Sequence, residues 1–289
     1  MFKTTALLTA ALALATTAAN AAPWTPADIT TAAWFDAADA STITDTAGAV
    51  SQWNDKSGNS RDLSLATGAT NPTTGTRTLN GLNALDLIET DALQTAAAAT
   101  WLNGTKYHFF AVLEQDVAGN YAGTDGTVTG GKLLHIGQTN GTTWKQDHFG
   151  SGGANYSHTL DTSALIAVNS FLNTGSEVFI NGTSIGSNAG PNSALNTDGP
   201  LNIGRAYSGS GLGADFDGAM GEIIILTGDL STGDRQLLEG YLAWKWDLVD
   251  NLSGDHAYKT DGSLFVPEPG SLAFLGLGGL LIGARRRRG

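Results

Sequence analysis

The chain has no cysteine in its 289 residues. No disulfide can therefore stabilise it, and its stability must come from burial and hydrogen bonding. The same absence excludes thiolate catalysis, cysteine-based zinc sites and iron–sulfur clusters.

Positive charge is also scarce. The chain has 15 lysines and arginines against 27 aspartates and glutamates, which gives a formal net charge of −12. A run of arginines stands at the extreme C-terminus, so the rest of the chain is more acidic still. This balance argues against a nucleic-acid partner, which would need a basic surface.

Long apolar runs are confined to the two ends. At the N-terminus, Lys3 precedes an apolar stretch from Ala6 to Ala15. Ala19 and Ala21 then flank one residue in the small-residue pattern of a cleavage site. We therefore predict a signal peptide over residues 1–21, which delivers the chain to the Sec export machinery.

The C-terminus has three parts in order: a proline-stiffened polar motif, an apolar run and an arginine cluster. The apolar run has roughly 14 residues, whereas a membrane-spanning helix needs about 20. Such a run prefers a bilayer to water, and the arginines hold their end in the cytoplasm. The polar motif and the arginine cluster consist of Val266, Pro267, Glu268, Pro269, Arg285, Arg286, Arg287 and Arg288.

With this order of parts, residues 266–289 resemble a PEP-CTERM sorting signal. The resemblance implies that an exosortase recognises and processes the tail after a transient membrane anchoring. It also implies export to the envelope, cell surface or extracellular matrix of a Gram-negative bacterium. An ordinary single-pass tail anchor is the alternative.

The body between the two signals shows short apolar pulses separated by Gly, Asn, Asp and Ser, a pattern that predicts strands and tight turns. Residues Tyr107–Leu113 form a near-continuous apolar run, which predicts a buried strand. Asn181-Gly182 between two strand patterns predicts a two-residue type I′ hairpin. One helix is predicted from Ser231 to about Asp247, because apolar residues recur there at three- and four-residue spacing.

Five segments of the body carry a second resemblance. They are Trp34–Asp39, Gln52–Asn59, Leu79–Leu85, Gly221–Ile225 and Gln236–Trp246. Together they resemble bacterial LamG-type domains. The resemblance extends over residues 31–249 and implies an all-β, concanavalin A-like jelly-roll sandwich of two antiparallel sheets, with one C-terminal helix packed on it. The domain is predicted over residues 22–250, followed by a polar linker over residues 251–265.

Catalysis is not expected. Glycoside hydrolysis requires two carboxylates across a cleft, and glucanases on this fold place them on one strand with a spacing that Asp86, Glu89 and Asp91 do not match. The five histidines show no metal-ligand spacing such as HExxH.

A calcium ion is the one candidate cofactor. LamG-like domains often bind calcium at the rim, and loop carboxylates with backbone carbonyls suit this ion. The candidate ligands are Asp125, Asp215 and Asp217, with solvated turn acids as the alternative reading.

Carbohydrate binding would use exposed aromatic rings that stack on sugars, together with polar groups for the hydroxyls. Five aromatic residues fall in or beside predicted loops, and partial burial under a loop is the alternative for each. They are Trp101, Tyr121, Trp144, Tyr156 and Tyr207.

The sequence thus favours an exported, non-catalytic protein that binds polysaccharide or a neighbouring surface protein. A divergent glycan hydrolase or lyase on the same fold is one alternative. A purely structural or adhesive surface protein without a small ligand is the other.

Overall fold

A computed structural model describes residues 22–127, 133–149, 153–173, 175–188, 194–207 and 215–265. The predicted signal peptide with Ala19 and Ala21, and the predicted sorting tail at 266–289, lie outside these residues. In the described part of the chain, no helix is both long and apolar enough to cross a membrane.

The described residues form seventeen strands, one α-helix and four short 3-10 turns. The strands are β1 (Ala33–Asp36), β2 (Ile43–Thr46), β3 (Ala49–Trp53), β4 (Leu63–Leu65), β5 (Thr73–Leu79), β6 (Leu82–Leu87), β7 (Leu93–Ala98), β8 (Tyr107–Val117), β9 (Asn120–Thr124), β10 (Leu134–Asn140), β11 (Thr143–His148), β12 (Gly153–Ser157), β13 (Leu165–Phe171), β14 (Ser176–Ile180), β15 (Thr183–Asn188), β16 (Pro200–Ile203) and β17 (Asp217–Thr227). The helix α1 is Thr232–Lys245, and the 3-10 turns are Pro26–Asp28, Ala40–Thr42, Thr100–Leu102 and Val249–Asn251.

The strands pair antiparallel and form two walls around a common core. The helix-side wall runs β15-β14-β13-β8-β17, with β1 and β6 both pairing with β17. The open-side wall runs β4-β7-β16-β9-β10-β11-β12. The prediction of an all-β, antiparallel fold with one C-terminal helix is confirmed.

The hydrogen bonding does not stop between the walls, because β5 pairs with β6 and also touches β3, which pairs with β4. At the other side, the Tyr156 hydroxyl of β12 donates to the Ser176 carbonyl of β14 at 2.9 Å. The Tyr156 ring also lies where a Cβ on Gly186 of β15 would be. The result is one continuous sheet that nearly closes on itself, so the described strands do not divide cleanly into the two separate sheets that were predicted.

The buried strand predicted at Tyr107–Leu113 is confirmed as the first part of β8. Tyr107, Phe109, Ala111 and Leu113 point into the core between the walls, and the residues between them point towards α1. Both faces of β8 are therefore covered, which is why its sequence is apolar almost without interruption.

The helix begins where its capping chemistry predicts. The Ser231 hydroxyl accepts from the Asp234 amide at 3.0 Å and so satisfies one of the free amides of the first turn. Leu238, Tyr241 and Leu242 then bury one face of α1 on the helix-side wall.

The segment over residues 251–265 is not the linker that was predicted. Leu252 and Phe265 are buried beside α1, and the Trp24 amide donates to the Leu264 carbonyl at 2.9 Å. Gly240 permits this packing, because a Cβ there would lie 2.7 Å from the Tyr258 side chain. Residues 24–265 form one compact unit, which extends past the predicted boundary at residue 250.

Candidate functional site

Three of the segments that carry the sequence resemblance meet at a buried ion cluster beneath α1. Asp36 of β1 and Glu222 of β17 are directly paired in register, so their side chains point to the same face. The Lys245 ammonium of α1 lies 2.8 Å from Asp36 Oδ1 and 2.7 Å from Glu222 Oε2. Lys56 holds the other Asp36 oxygen at 2.9 Å.

Glu222 is fully buried, and burial raises the pKa of its carboxyl. Besides Lys245, it accepts from Trp34 Nε1 at 2.7 Å, Trp246 Nε1 at 2.8 Å and the Tyr241 hydroxyl at 3.1 Å. We call Asp36, Glu222, Lys245 and these three aromatic residues the Glu222 cluster. The cluster joins β1, β17 and α1. The residues of these three segments therefore have a structural role, because they hold the helix on the sheet.

The Gln52–Asn59 segment has a similar structural role. The Asp55 carboxylate accepts from the backbone amides of Trp34 at 2.9 Å, Ser57 at 2.9 Å and Arg61 at 3.0 Å. The Arg61 guanidinium then lies 4.2 Å from the centre of the Trp101 ring, one of the predicted sugar platforms. Arginine thus already stacks on one face of this half-buried ring.

Tyr121, Trp144 and Tyr156 correct the prediction, since all three lie in strands and are 0–5% exposed. The Tyr121 hydroxyl and Trp144 Nε1 both donate to Asn169 Oδ1 inside the core, at 3.0 and 3.3 Å. Their rings have no face open to a ligand. The tight turns on either side of these residues suggested loops. Each residue instead lies in a strand, at a position whose side chain points into the core.

Tyr207 is different, because its side chain is partly exposed to solvent. Its ring stacks on the His135 ring with centroids 5.7 Å apart and planes 20° apart. The Phe149 ring lies 5.8 Å from the same histidine and is 39% exposed. The sequence analysis missed Phe149, although it directly follows β11, where alternation with the inward His148 would have placed it on the outer face.

A line of polar residues crosses the open-side wall beside these rings. Directly paired residues of neighbouring strands point to the same face, and the adjacent residues Leu93, Leu134 and Ile203 point into the core. The line therefore faces outward. We call it the polar row, and it consists of Asp147, His135, Gly123, Asn202, Gln94 and Ser64.

A short segment over residues 204–207, which we call the strap, lies across the polar row. Its backbone crosses directly over Gly123, where a Cβ would be only 1.8 Å from the Ala206 carbonyl oxygen. From the strap, the Arg205 guanidinium donates to Asn202 Oδ1 at 3.2 Å and to Asp125 Oδ2 at 3.2 Å. Glycine in the sheet is thus what lets the strap hold Arg205 and Tyr207 against the wall.

The acid at one end of the polar row is paired with a nearby lysine. Lys145 Nζ lies 2.7 Å from Asp147 Oδ2, and His135 Nδ1 lies 4.0 Å from the same oxygen. Burial, followed by the nearby Lys145, lowers the pKa of His135 to about 4, so its imidazole is neutral at pH 7. The buried His135 Nε2 has no hydrogen-bond partner among the described residues.

The three predicted calcium ligands are engaged in different ways. Asp125 pairs with Arg205, and Asp215 accepts from the Ala206 amide at 3.2 Å. Asp217 begins β17, where burial and the nearby Asp116 raise its pKa. Among the described residues, no three or more histidine or acidic side chains are grouped as a metal ion would require.

Comparison with solved structures places the sheet among folds found in glycan-active proteins. Domain 4 of AbnA, a GH43 extracellular arabinanase from Geobacillus stearothermophilus solved with arabinotriose, is 13% identical with a TM-score of 0.52, over 72% of this chain and 97% of that one. An arabinofuranosidase solved with arabinofuranosyl-alpha-1,2-xylobiose is 13% identical with a TM-score of 0.51, over 66% and 50%. A Trypanosoma rangeli sialidase solved with sialic acid is 12% identical with a TM-score of 0.50, over 74% and 33%.

These similarities concern the fold, and they do not single out LamG domains. This chain spans about half of the arabinofuranosidase and a third of the sialidase. A search of curated proteins found no match.

The sorting prediction is confirmed by a separate comparison. Residues 265–288 match the PEP-CTERM protein-sorting motif. The motif implies an exported protein that an exosortase recognises.

Proposed function

We propose that this protein is an exosortase-sorted, non-catalytic polysaccharide-binding protein of the bacterial envelope or extracellular matrix. In this proposal its body is a LamG-like variant of the concanavalin A-like sandwich, and the ligand lies on the open-side wall. The observation that carries the proposal is the partly exposed pair Phe149 and Tyr207 beside the polar row, in a chain that ends in a sorting motif.

The chemistry of this face suits a sugar chain. Neighbouring strands are about 4.8 Å apart, so a glycan that runs across them can meet the ends of the polar row, Asp147 and Ser64, while the strap covers Gly123 between them. Phe149 and Tyr207 offer apolar surface for sugar rings, while Lys145 and Asp147 offer groups for the hydroxyls. The likeness to a domain solved with arabinotriose supports a pentose-containing polysaccharide as the first ligand to test.

The acids of this face favour binding over hydrolysis. A glycosidase needs one carboxylic acid to protonate the leaving oxygen and a second carboxylate to attack or to activate water. Here Asp147 is paired with Lys145, and Asp125 with Arg205. A hydrolase or lyase remains the second candidate because the similar folds include glycoside hydrolases.

The test is affinity electrophoresis and calorimetry of the purified protein with arabinan, arabinoxylan and unrelated polysaccharides. Phe149→Ala and Tyr207→Ala should each weaken binding about tenfold, equivalent to about 1.4 kcal/mol. Leu264→Ala is the matched control, because Leu264 is 44% exposed but belongs to the segment whose Phe265 packs beside α1.

Equal binding by all three variants would contradict the proposed face. Release of reducing sugar that an acid-to-amide substitution abolishes would favour the enzyme. No binding of the unmodified protein to any polysaccharide would favour a purely structural or adhesive role.

A further inference from the structure

The Glu222 cluster brings together the Lys245 amine and the carboxyls of Asp36 and Glu222. An amine, a carboxyl and a second carboxyl that can carry a proton are the groups that amide-bond formation requires. Lys245 Nζ is in contact with both Asp36 and Glu222, at 2.8 and 2.7 Å. We propose that Lys245 and Asp36 condense into an intramolecular isopeptide bond and that Glu222 transfers the proton. This modification goes beyond the proposed function and does not depend on it.

The surroundings favour the neutral product over the ion pair. Asp36 is 3% exposed and Glu222 is 0% exposed, and the Lys245 side chain is 21% exposed. Keeping two buried carboxylates charged beside a partly buried ammonium is costly, because the desolvation of buried ions rivals their mutual attraction. An amide removes one charge of each sign and leaves a smaller cost.

Glu222 is placed to move the proton. Its Oε2 accepts directly from Lys245 Nζ, and its residue is the register partner of Asp36 on the neighbouring strand. Burial raises the pKa of this carboxyl, which helps it to hold a proton briefly. Trp34 and Tyr241 fix its other oxygen, so the group is already oriented.

The step balances without any further reactant. Glu222 takes one proton from the Lys245 ammonium, and the neutral amine attacks the carboxyl carbon of Asp36 to form the C–N bond. Glu222 returns this proton to one Asp36 oxygen, a second proton passes from the nitrogen to the same oxygen, and the C–O bond breaks to release water. One hydrogen stays on the amide nitrogen, and Glu222 ends as it began.

Lys56, which lies beside the Glu222 cluster, provides a control. It also contacts Asp36, at 2.9 Å, but its second partner is Asp39 at 2.8 Å rather than Glu222. The geometry therefore assigns Lys245 as the nucleophile and leaves Lys56 as the ion that holds the other Asp36 oxygen. The bond would tie β1 to α1 in a chain that has no cysteine for a disulfide.

The test is tryptic peptide mapping of the purified full-length chain by mass spectrometry. The expected result is a branched peptide that contains Asp36 and Lys245, lighter than its two components by one water molecule and uncleaved after Lys245. Lys245→Arg keeps the ion pair but cannot condense, so its digest should contain no branched peptide. Glu222→Gln should strongly reduce the branched peptide, and Lys56→Arg should retain it.

A wild-type digest in which trypsin cleaves after Lys245, with Asp36 in a linear peptide, would overturn the proposal. A branch at Lys56 would overturn the assignment of the nucleophile. An undiminished branch in Glu222→Gln would overturn the role of Glu222. The wild-type digest decides the main question even if a variant fails to fold, and glycan binding does not affect it.

Discussion

The strap can be tested by adding a single methyl group to the sheet beneath it. In Gly123→Ala the new Cβ would be 1.8 Å from the Ala206 carbonyl oxygen and 2.6 Å from its carbonyl carbon. Both neighbouring atoms belong to backbone, so no flexible side chain can move aside. Ordinary contacts of this kind begin at 3.4 Å, and the strap must therefore shift by more than an ångström.

The cost follows from the contacts that this shift disturbs. Forcing a carbon into a packed position costs about 1–3 kcal/mol. The bonds from Arg205 to Asn202 and Asp125 are already 3.2 Å long and would be lost or lengthened. Hydrogen bonds to charged groups contribute about 1.5–3 kcal/mol each, but a displaced arginine regains part of this from water. We expect the free energy of unfolding to fall by about 3 kcal/mol in total.

The assay is urea denaturation followed by tryptophan fluorescence, with Gly141→Ala as the matched control. Gly141 lies in the turn between β10 and β11, and its added Cβ would meet no atom within 4 Å. The control should stay within about 0.5 kcal/mol of the unmodified protein. If Gly123→Ala stays within the same range, the reasoning about the strap is wrong.

Three further predictions concern the core, the histidine and the tail. Asn169→Leu leaves the Tyr121 hydroxyl and Trp144 Nε1 unpaired in the core, so denaturation should show a loss of about 2–4 kcal/mol. His135 has a folded-state pKa of about 4 against an ordinary 6.5, so the unfolded chain binds its proton first. Its stabilising contribution is complete above pH 6.5 and is lost as the pH falls towards 4. The melting temperature should fall over this window, and His135→Gln should flatten the fall; an unchanged slope would contradict the histidine's role. Deletion of residues 267–269 should leave unprocessed precursor on immunoblots of the producing cell, and normal maturation would count against the sorting role.

Local chemistry made several features predictable from the sequence. Asn181 and Gly182 have φ values of 51° and 78°, as a type I′ hairpin turn requires, and they join β14 to β15 as predicted. The Ser231 cap and the apolar run of β8 were also predictable from the sequence. A cap, a two-residue turn and a strand buried on both faces each depend on residues close together in the chain.

For the strands of the open-side wall, the face that points into the core was not predictable in this way. Alternation shows that Trp144 and Lys145 point to opposite faces, but it does not show which face is the core. Only the pairing of β11 with β10 and β12 places Trp144 inside and Lys145 outside. The predicted sugar platforms Tyr121, Trp144 and Tyr156 were wrong for this reason, and Phe149 was missed for the same reason.

The sequence by itself determined the export address, the β-rich class, the one α-helix of the described residues and the absence of disulfides, because each depends on composition or on neighbouring residues. Only the tertiary structure decided where function and chemistry could reside. The Glu222 cluster joins residues 36, 222 and 245, and the polar row joins six strands in one register. Such sites form by long-range strand pairing, which the spacing of residues along a chain does not record.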